Sequence, residues 1–214
     1  SASQTHRYLA SLVAAGMAKQ DQRGHYDLDS GAIRIGLAAL ARLDVFASVD
    51  DFIGAYARES GRTCLVAVWG DAGATVVRWY AGNPPVITTM AVGSVLPLLQ
   101  SATGRVFFAF GAPDYFNARA QAEKRAGRAP AQIDLAALRA QARAELCARV
   151  DGDFIPGLRV VSVPVFDLQG NLCVVVTSVA TSAFDRAADE KAERELRSAC
   201  RRLTESLGGR WPAG

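Results

Sequence analysis

Few side chains in this sequence of 214 residues are spaced for catalysis. Its two histidines, His6 and His25, both lie near the start, so the rest of the chain has no imidazole for a catalytic triad or a metal site. The GxSxG, Walker A and GxGxxG motifs are absent. Asp151 and Asp153 could form an acid/base pair, but solvated loop carboxylates are the simpler interpretation. We therefore predict that the protein is not an enzyme and uses neither a cofactor nor a metal.

The cysteines form no recognisable metal or disulfide motif. Cys64, Cys147, Cys173 and Cys200 are widely separated and include no CxxC pair, which predicts reduced thiols in a core. A nucleophilic Cys173 would need a nearby base, and its valine-rich surroundings offer none. Charged residues, Gly or Pro interrupt every apolar stretch before it reaches the length of a membrane span, and no signal peptide is recognisable. The sequence predicts a cytoplasmic protein with no membrane partner.

The opening segment carries side chains suited to reading DNA. Residues 3–15 have the spacing of an amphipathic helix, with Ser3, Gln4 and Arg7 on its polar face. Gln can pair with adenine, and Arg with guanine or phosphate. The net charge of +3 is compatible with a nucleic-acid partner. Our candidate DNA contacts are Ser3, Gln4, Arg7 and, in the next turn, Arg23, and an ordinary solvated helix face is the alternative.

A hairpin and a second helix follow this segment. Strand-like runs at 17–20 and 25–28 enclose a polar turn that ends in Gly24, so helix and hairpin together form half of a winged helix-turn-helix. Apolar residues then recur at helical spacing. We predict a partial winged helix-turn-helix DNA-binding domain at 1–29 and a linker helix at 30–45. Because the sequence starts in a helical pattern without Met, we expect it to lack the first helices of that domain.

The remainder of the chain, 46–214, has the pattern of an α+β domain. Strands are predicted at 63–69, 74–80, 86–90, 158–166 and 171–180, and helices at 46–59, 101–110, 114–149 and 186–207, with a break near 127–130. Strands joined in hairpins with helices to the side predict an antiparallel sheet with flanking helices.

In their order, these segments resemble the IclR family of bacterial regulators. In the opening part, Ser3-Gln4-Thr5-His6-Arg7-Tyr8-Leu9 is similar to the family's recognition helix, Gly24-His25-Tyr26-Asp27-Leu28 to its wing, and 33–40 to its linker helix. Later matches are Gly93-Ser94-Val95-Leu96-Pro97-Leu98, Ala102-Thr103-Gly104-Arg105, and Gly157-Leu158 leading into Pro164-Val165-Phe166-Asp167. One departure is Phe154-Ile155-Pro156, where the family often has acidic residues.

This resemblance implies a fold and a function. Family members are dimers or tetramers with a winged helix-turn-helix and a GAF/profilin-like effector-binding domain, and many control catabolic operons in response to small organic acids or aromatic compounds. We therefore expect a ligand-responsive transcription regulator, a repressor of a catabolic operon. Its partners would be double-stranded operator DNA, bound by the full-length form, a small organic acid and a second copy of the chain, as a homo-dimer or tetramer.

By analogy with the family, the effector pocket lies between the 96–103 segment and the late strands. We predict that it is lined by Leu96, Gln100, Ser101, Ala102, Thr103, Val150, Val160, Ser162, Thr177 and Val179. Backbone amides at the start of the helix near Ser101 could hold a carboxylate, because a helix N-terminus carries partial positive charge. The remaining lining is apolar, which favours a hydrophobic or aromatic acid over a short polar one such as glyoxylate.

Two other functions remain open at this point. A small-molecule-binding α+β enzyme would need catalytic groups in the pocket, and the lack of histidine counts against it. A pure dimerisation module would have a filled sheet face without a cavity.

Overall fold

The chain divides into two units, Ser1–Asp44 and Val45–Gly214, in a computed structural model that describes residues 2–40, 44–129, 132–152 and 154–212. The first unit contains helix α1 (Ala2–Ala14), strands β1 (Ala18–Gln20) and β2 (Tyr26–Leu28), and helix α2 (Ser30–Leu40). The predicted division into a DNA-binding domain, a linker helix and an effector-binding domain stays a prediction.

The β1–β2 hairpin of the first unit is closed by a turn that Asp21 organises. Its Oδ1 accepts hydrogen bonds from the backbone N–H groups of His25 (2.9 Å) and Arg23 (2.8 Å). These backbone hydrogen bonds, with that of His25 the largest, hold the pKa of Asp21 below its usual range. Gly24 takes the left-handed conformation at φ +85° that the turn requires. The turn presents Arg23 as an exposed residue at its tip.

The second unit is a mixed α+β fold. Its elements are α3 (Val45–Ser60), β3 (Thr63–Gly70), β4 (Gly73–Tyr80), β5 (Val95–Leu96), α4 (Ala102–Phe110), α5 (Pro113–Arg125), α6 (Leu135–Glu145), β6 (Ala148–Asp151), β7 (Arg159–Phe166), β8 (Leu172–Ala180) and α7 (Asp189–Ser206). The strands form a six-stranded antiparallel sheet in the order β5-β4-β3-β8-β7-β6.

Helices cover both faces of this sheet, and the alternation of side chains in β3 shows how. Cys64 and Val66 point into a core shared with α3 and α7. Leu65 and Ala67 point into a second core shared with α4 and α5. A strand buried on both faces is a continuous apolar run rather than an alternating one, which is why β3 has that composition. The α+β fold class predicted from the sequence is confirmed.

Two local predictions were wrong. Residues 86–90, all of them described, form no strand, and the backbone N–H of Val86 is directed to the Thr63 hydroxyl at 3.4 Å. Pro84 and Pro85 precede this segment, and proline lacks the N–H that strand pairing uses. Conversely, the helical segment predicted at 114–149 overlaps at its end with β6, which begins at Ala148 and pairs with β7 in the register Ala148↔Ser162. Four residues after a helix carry too short a pattern to be recognised in the sequence.

Candidate functional site

A narrow cavity lies between the start of α4 and strands β7 and β8. We call it the central cavity. Its lining consists of Leu65, Met90, Leu96, Ser101, Ala102, Thr103, Val150, Phe154, Ile155, Leu158, Val160, Thr177 and Val179. It leaves about 40 Å³ of free space, and none of the described residues that line it is charged. A cavity of this kind offers an apolar environment with hydroxyl groups as its polar side chains.

Three buried hydroxyl groups form a hydrogen-bonded triangle beside the central cavity. The Oγ1 atoms of Thr103 and Thr177 lie 2.8 Å apart, and Ser162 Oγ lies 2.7 Å from Thr177 Oγ1. The third side, between Thr103 Oγ1 and Ser162 Oγ, is longer at 3.4 Å. All three residues are at most 1% exposed. Because each hydroxyl has one proton and two acceptor lone pairs, a ligand oxygen can join this group by replacing one of its internal hydrogen bonds.

The start of α4 is fixed by short-range hydrogen bonds. Ser101 is the N-cap residue, and its Oγ accepts from Gly104 N–H at 2.9 Å while donating to the Pro97 carbonyl at 2.6 Å. The carboxylate of Glu123 in α5 accepts from the backbone N–H groups of Leu98 and Leu99 at 2.8 and 3.0 Å. Gly104 N–H, one of the amides near Ser101 that could hold a carboxylate, is therefore already hydrogen-bonded within the protein.

Glycine is required at position 104 because the backbone of Pro97 and Leu98 lies so close to it. A Cβ added there would lie 2.3 Å from the Pro97 carbonyl oxygen and 2.4 Å from that of Leu98. Neither contact can be relieved by turning a flexible side chain, since both atoms belong to the backbone. The matching of Gly104 to the family pattern thus has a physical cause in the packing of α4 on the preceding turn.

The structure brings together most of the residues predicted to contact an effector. All of them line the central cavity except Gln100 and Ser162. Ser162 contributes to the hydroxyl triangle, whereas Gln100 lines a neighbouring surface groove. That any of these residues contacts a ligand stays a prediction.

Sequence reasoning missed several residues of the cavity wall: Leu65, Met90, Phe154, Ile155 and Leu158. Leu65 is adjacent to Thr177 only through the β3–β8 pairing, which the sequence does not specify. Met90 lies in the segment wrongly predicted as a strand. Phe154 and Ile155 could have been recognised as cavity residues from the sequence, because they are apolar where the IclR family often has acidic residues.

A paired carboxylate site is not formed by the described residues. Asp151 makes an ion pair with Arg186, with Arg186 Nη1 2.7 Å from Asp151 Oδ2. Asp153 lies outside the described residues. Asp151 is solvent-exposed as predicted, but it is the last residue of strand β6 and not a loop carboxylate.

An ion-pair cluster ties α7 to the sheet. Asp189, the first residue of α7, accepts from Arg62 Nη2 at 2.7 Å and from Arg159 Nε at 2.6 Å. Burial alone would raise the pKa of Asp189, but the hydrogen bonds from Arg159 and Arg62 outweigh it and hold that pKa below its usual range. Arg62 is only 4% exposed. The cluster therefore acts as a structural clamp, since loss of the carboxylate would leave a buried guanidinium without its partner.

The first unit exposes the residues proposed to read DNA. Gln4 and Arg7 are exposed on α1, and Arg23 is exposed in the hairpin turn. Ser3 lies in α1, but its side chain is outside the described part of the structure. His6 Nδ1 of α1 lies 3.3 Å from Tyr26 OH of β2, which connects helix and hairpin. Contact with DNA stays a prediction for all four candidates.

The profile of the bacterial transcriptional regulator IclR C-terminal family matches residues 37–205, most of the chain. The chain belongs to the IclR family. The crystal structure of Pseudomonas aeruginosa HmgR superposes with a TM-score of 0.87 at 38% identity, covering 98% of this chain and 86% of that one. The DNA-binding transcriptional repressor YiaJ of Escherichia coli (strain K12) is 26% identical over 96% of this chain and 76% of its own length.

A more distant solved structure shows the same IclR fold. The Agobacterium tumefaciens repressor BlcR has a TM-score of 0.75 at 18% identity, covering 96% of this chain and 84% of that one. The resemblance predicted from the sequence is confirmed, and members of this family are transcriptional regulators rather than enzymes. Among the described residues, no helix combines the length and apolar character needed to cross a bilayer.

Proposed function

We propose that this IclR-family chain is a ligand-responsive repressor of a catabolic operon that senses a small organic acid with an apolar body. The observation that carries the proposal is the central cavity, an uncharged space beside three buried hydroxyl groups at the junction of α4 with β7 and β8. A regulator that reads operator DNA in a bacterium works in the cytoplasm. The relationship to YiaJ, a DNA-binding transcriptional repressor, supports repression rather than activation of the operon.

The chemistry of the central cavity favours an apolar ligand. Small-molecule sites typically combine a mainly apolar lining with a few polar groups that fix orientation. Here the hydroxyls of Thr103 and Thr177 supply those polar groups, and side chains such as Leu96 and Val160 supply the apolar area. The free space of about 40 Å³ holds only small molecules such as water, so the ligand must widen the cavity as it binds. Ligand binding is therefore coupled to movement of the cavity wall.

That coupling provides a mechanism for regulation. A ligand that binds better to one arrangement of the effector-binding domain shifts the population towards it. If the free energy of ligand binding differs by about 1 to 3 kcal/mol between the two arrangements, operator affinity changes roughly five- to 150-fold. The apolar side chains Ile33, Ile35 and Leu37 of α2 are 61%, 58% and 60% exposed. We assign them to contact with a second copy of the chain, so that two DNA-reading helices act together on one operator.

A thermal-shift screen tests ligand sensing. Benzoate, 3-phenylpropionate, hexanoate and glyoxylate are added separately, and we expect at least one of the first three to raise Tm while glyoxylate does not. At a concentration of 100 Kd, binding to the native state alone adds about 2.7 kcal/mol of stability. Val160→Phe, which fills the cavity, is the control and is expected to lose the shift. Absence of any shift with all four acids would support the dimerisation module instead.

A further inference from the structure

A surface groove adjoins the central cavity on the effector-binding unit. It has a volume of about 550 Å³, within the usual range for small-molecule sites. Trp69, Gln100, Arg119 and Arg128 are among the residues that line it. We call it the Trp69 groove. Leu96 and Phe154 line both the groove and the central cavity, so the two spaces share a wall.

The aromatic side of the Trp69 groove is held by contacts with Tyr115 and Phe116. Trp69 Nε1 donates to Tyr115 OH at 3.2 Å, and the Phe116 ring centroid lies 4.6 Å from that of Trp69 in an edge arrangement. The guanidinium carbon of Arg119 lies 5.7 Å from the Trp69 ring centroid. This contact orients the guanidinium through a cation–π interaction without neutralising its charge.

The charges that line the Trp69 groove are unbalanced. Arg119 donates to the Asp71 backbone carbonyl at 3.4 Å, a long contact with an uncharged acceptor. Arg128 is exposed, and within the described ranges no carboxylate pairs with it or with Arg119. The acidic residue of the groove is Glu123, and both of its oxygens accept backbone N–H groups of the turn before α4. Two cationic groups therefore face the groove while its carboxylate is already engaged.

We propose that the effector is an amphipathic carboxylate that occupies both spaces, with its apolar end in the central cavity and its carboxylate in the Trp69 groove between Arg119 and Arg128. This inference rests on the proposed function. A carboxylate placed in the uncharged cavity would lose its hydration without gaining a cation, which is strongly unfavourable. On the other side of Leu96 and Phe154, the groove offers two guanidinium groups, which bind carboxylates through charge-assisted hydrogen bonds.

The same placement gives a role to Gln100, which lines the Trp69 groove. Its position outside the central cavity leaves it without a role in an apolar pocket, whereas in the Trp69 groove its amide can donate to a carboxylate oxygen. The effector class that follows is an acid whose apolar end is separated from its carboxylate by a short spacer, as in 3-phenylpropionate. Glyoxylate has no apolar end to place in the central cavity.

Calorimetric titration with 3-phenylpropionate and its neutral counterpart 3-phenylpropanamide tests the arrangement. Arg119→Ala, Arg128→Ala and the double variant are compared with Arg125→Ala, a matched control at the end of α5 that does not line the groove. We expect the double variant to weaken 3-phenylpropionate binding by about ten-fold or more. Arg125→Ala is expected to leave it unchanged, and the amide is expected to bind all variants with similar low affinity.

The outcomes separate this inference from the proposed function. If 3-phenylpropionate binds every variant equally, the carboxylate lies elsewhere, for example at the amides of Ala102 and Thr103, and the inference is overturned while sensing stands. Binding of the amide as tightly as the acid would overturn it as well, as would failure of 3-phenylpropionate to bind when hexanoate or benzoate does. Arg119→Gln keeps a polar side chain at this position. If its Tm is unchanged, any loss of 3-phenylpropionate binding in this variant is not due to unfolding.

Discussion

The side-chain oxygens of Thr103 in α4 and Thr177 in β8 lie 2.8 Å apart and join the start of a helix to the centre of the sheet. Both residues are 1% exposed and both line the central cavity. Hydrogen bonds in such a site are strong because the surroundings are poorly polarisable. A ligand that displaced this hydrogen bond would remove a direct link between α4 and β8.

Thr177→Val removes the hydroxyl at the centre of this triangle while keeping the side-chain volume. Among the described residues, the hydroxyls of Thr103 and Ser162 then have only their mutual contact of 3.4 Å. Leaving buried hydroxyls with poor partners costs about 1 to 3 kcal/mol, so we expect the free energy of unfolding to fall by that amount in urea titrations. The double variant Thr103→Val/Thr177→Val is the control, and its loss should be smaller than the sum of the single losses. Additive losses would contradict the coupling.

Gly104→Ala should disrupt the start of α4. The added methyl group would meet the backbone oxygens of Pro97 and Leu98, and overpacking of this kind costs about 1 to 3 kcal/mol. We expect a lower Tm together with loss of the acid-induced thermal shift. Gly36→Ala is the matched control, because no atom of the described residues lies within 4 Å of its Cβ position and alanine favours the interior of α2 by about 0.5 to 1 kcal/mol. A normal thermal shift in Gly104→Ala would contradict the requirement for glycine.

Asp189→Asn should change how stability depends on pH. The pKa of Asp189 in the folded protein lies below its ordinary value of 3.8, so its stabilisation is fully present above pH 3.8 and is lost as the pH falls through the lower folded value. At neutral pH the variant leaves Arg62 and Arg159 without their carboxylate, at a cost of about 3 kcal/mol. The difference in free energy of unfolding between Asp189→Asn and the parent protein should become smaller as the pH falls. Urea unfolding of both proteins between pH 7 and pH 2 measures this difference.

Glu190→Gln is the control for that experiment. Its carboxylate is exposed and lies 3.9 Å from Arg194, a pair that contributes little in water. If Asp189→Asn and Glu190→Gln gave the same pH profile, the ion-pair cluster would not be the clamp described above.

Arg7→Ala tests the proposed DNA-reading face of α1. With an operator duplex selected from a random-sequence library, we expect Arg7→Ala in the full-length form of the protein to lose about 1 to 3 kcal/mol of binding free energy in fluorescence anisotropy. A phosphate contact would also lower the slope of log K against log salt by about one, whereas a base contact would relax the sequence preference at one position. Arg34→Ala, an exposed substitution in α2, serves as the control. Equal affinity of Arg7→Ala and the parent would remove Arg7 from the interface.

The sequence was sufficient for those parts of the fold that local rules determine. Ser101 is a good N-cap, and α4 begins directly after it. The continuous apolar pattern of residues 63–69 likewise predicted β3. The cavity wall was harder, because Leu65 reaches it only through the register Leu65↔Thr177 between strands distant in the sequence. Gln100 was correctly placed next to the start of α4. The sequence could not determine, however, that it lines the Trp69 groove and not the adjoining central cavity.

The most direct test of this account measures operator affinity with and without a saturating acid. The acid is the one of benzoate, 3-phenylpropionate and hexanoate that raises Tm most, and the same titration is repeated with Val160→Phe. We predict that the acid changes the operator Kd of the parent protein roughly five- to 150-fold and leaves that of Val160→Phe unchanged. An operator Kd that stays the same in the parent protein while the acid is bound would contradict the claim that the central cavity controls DNA binding.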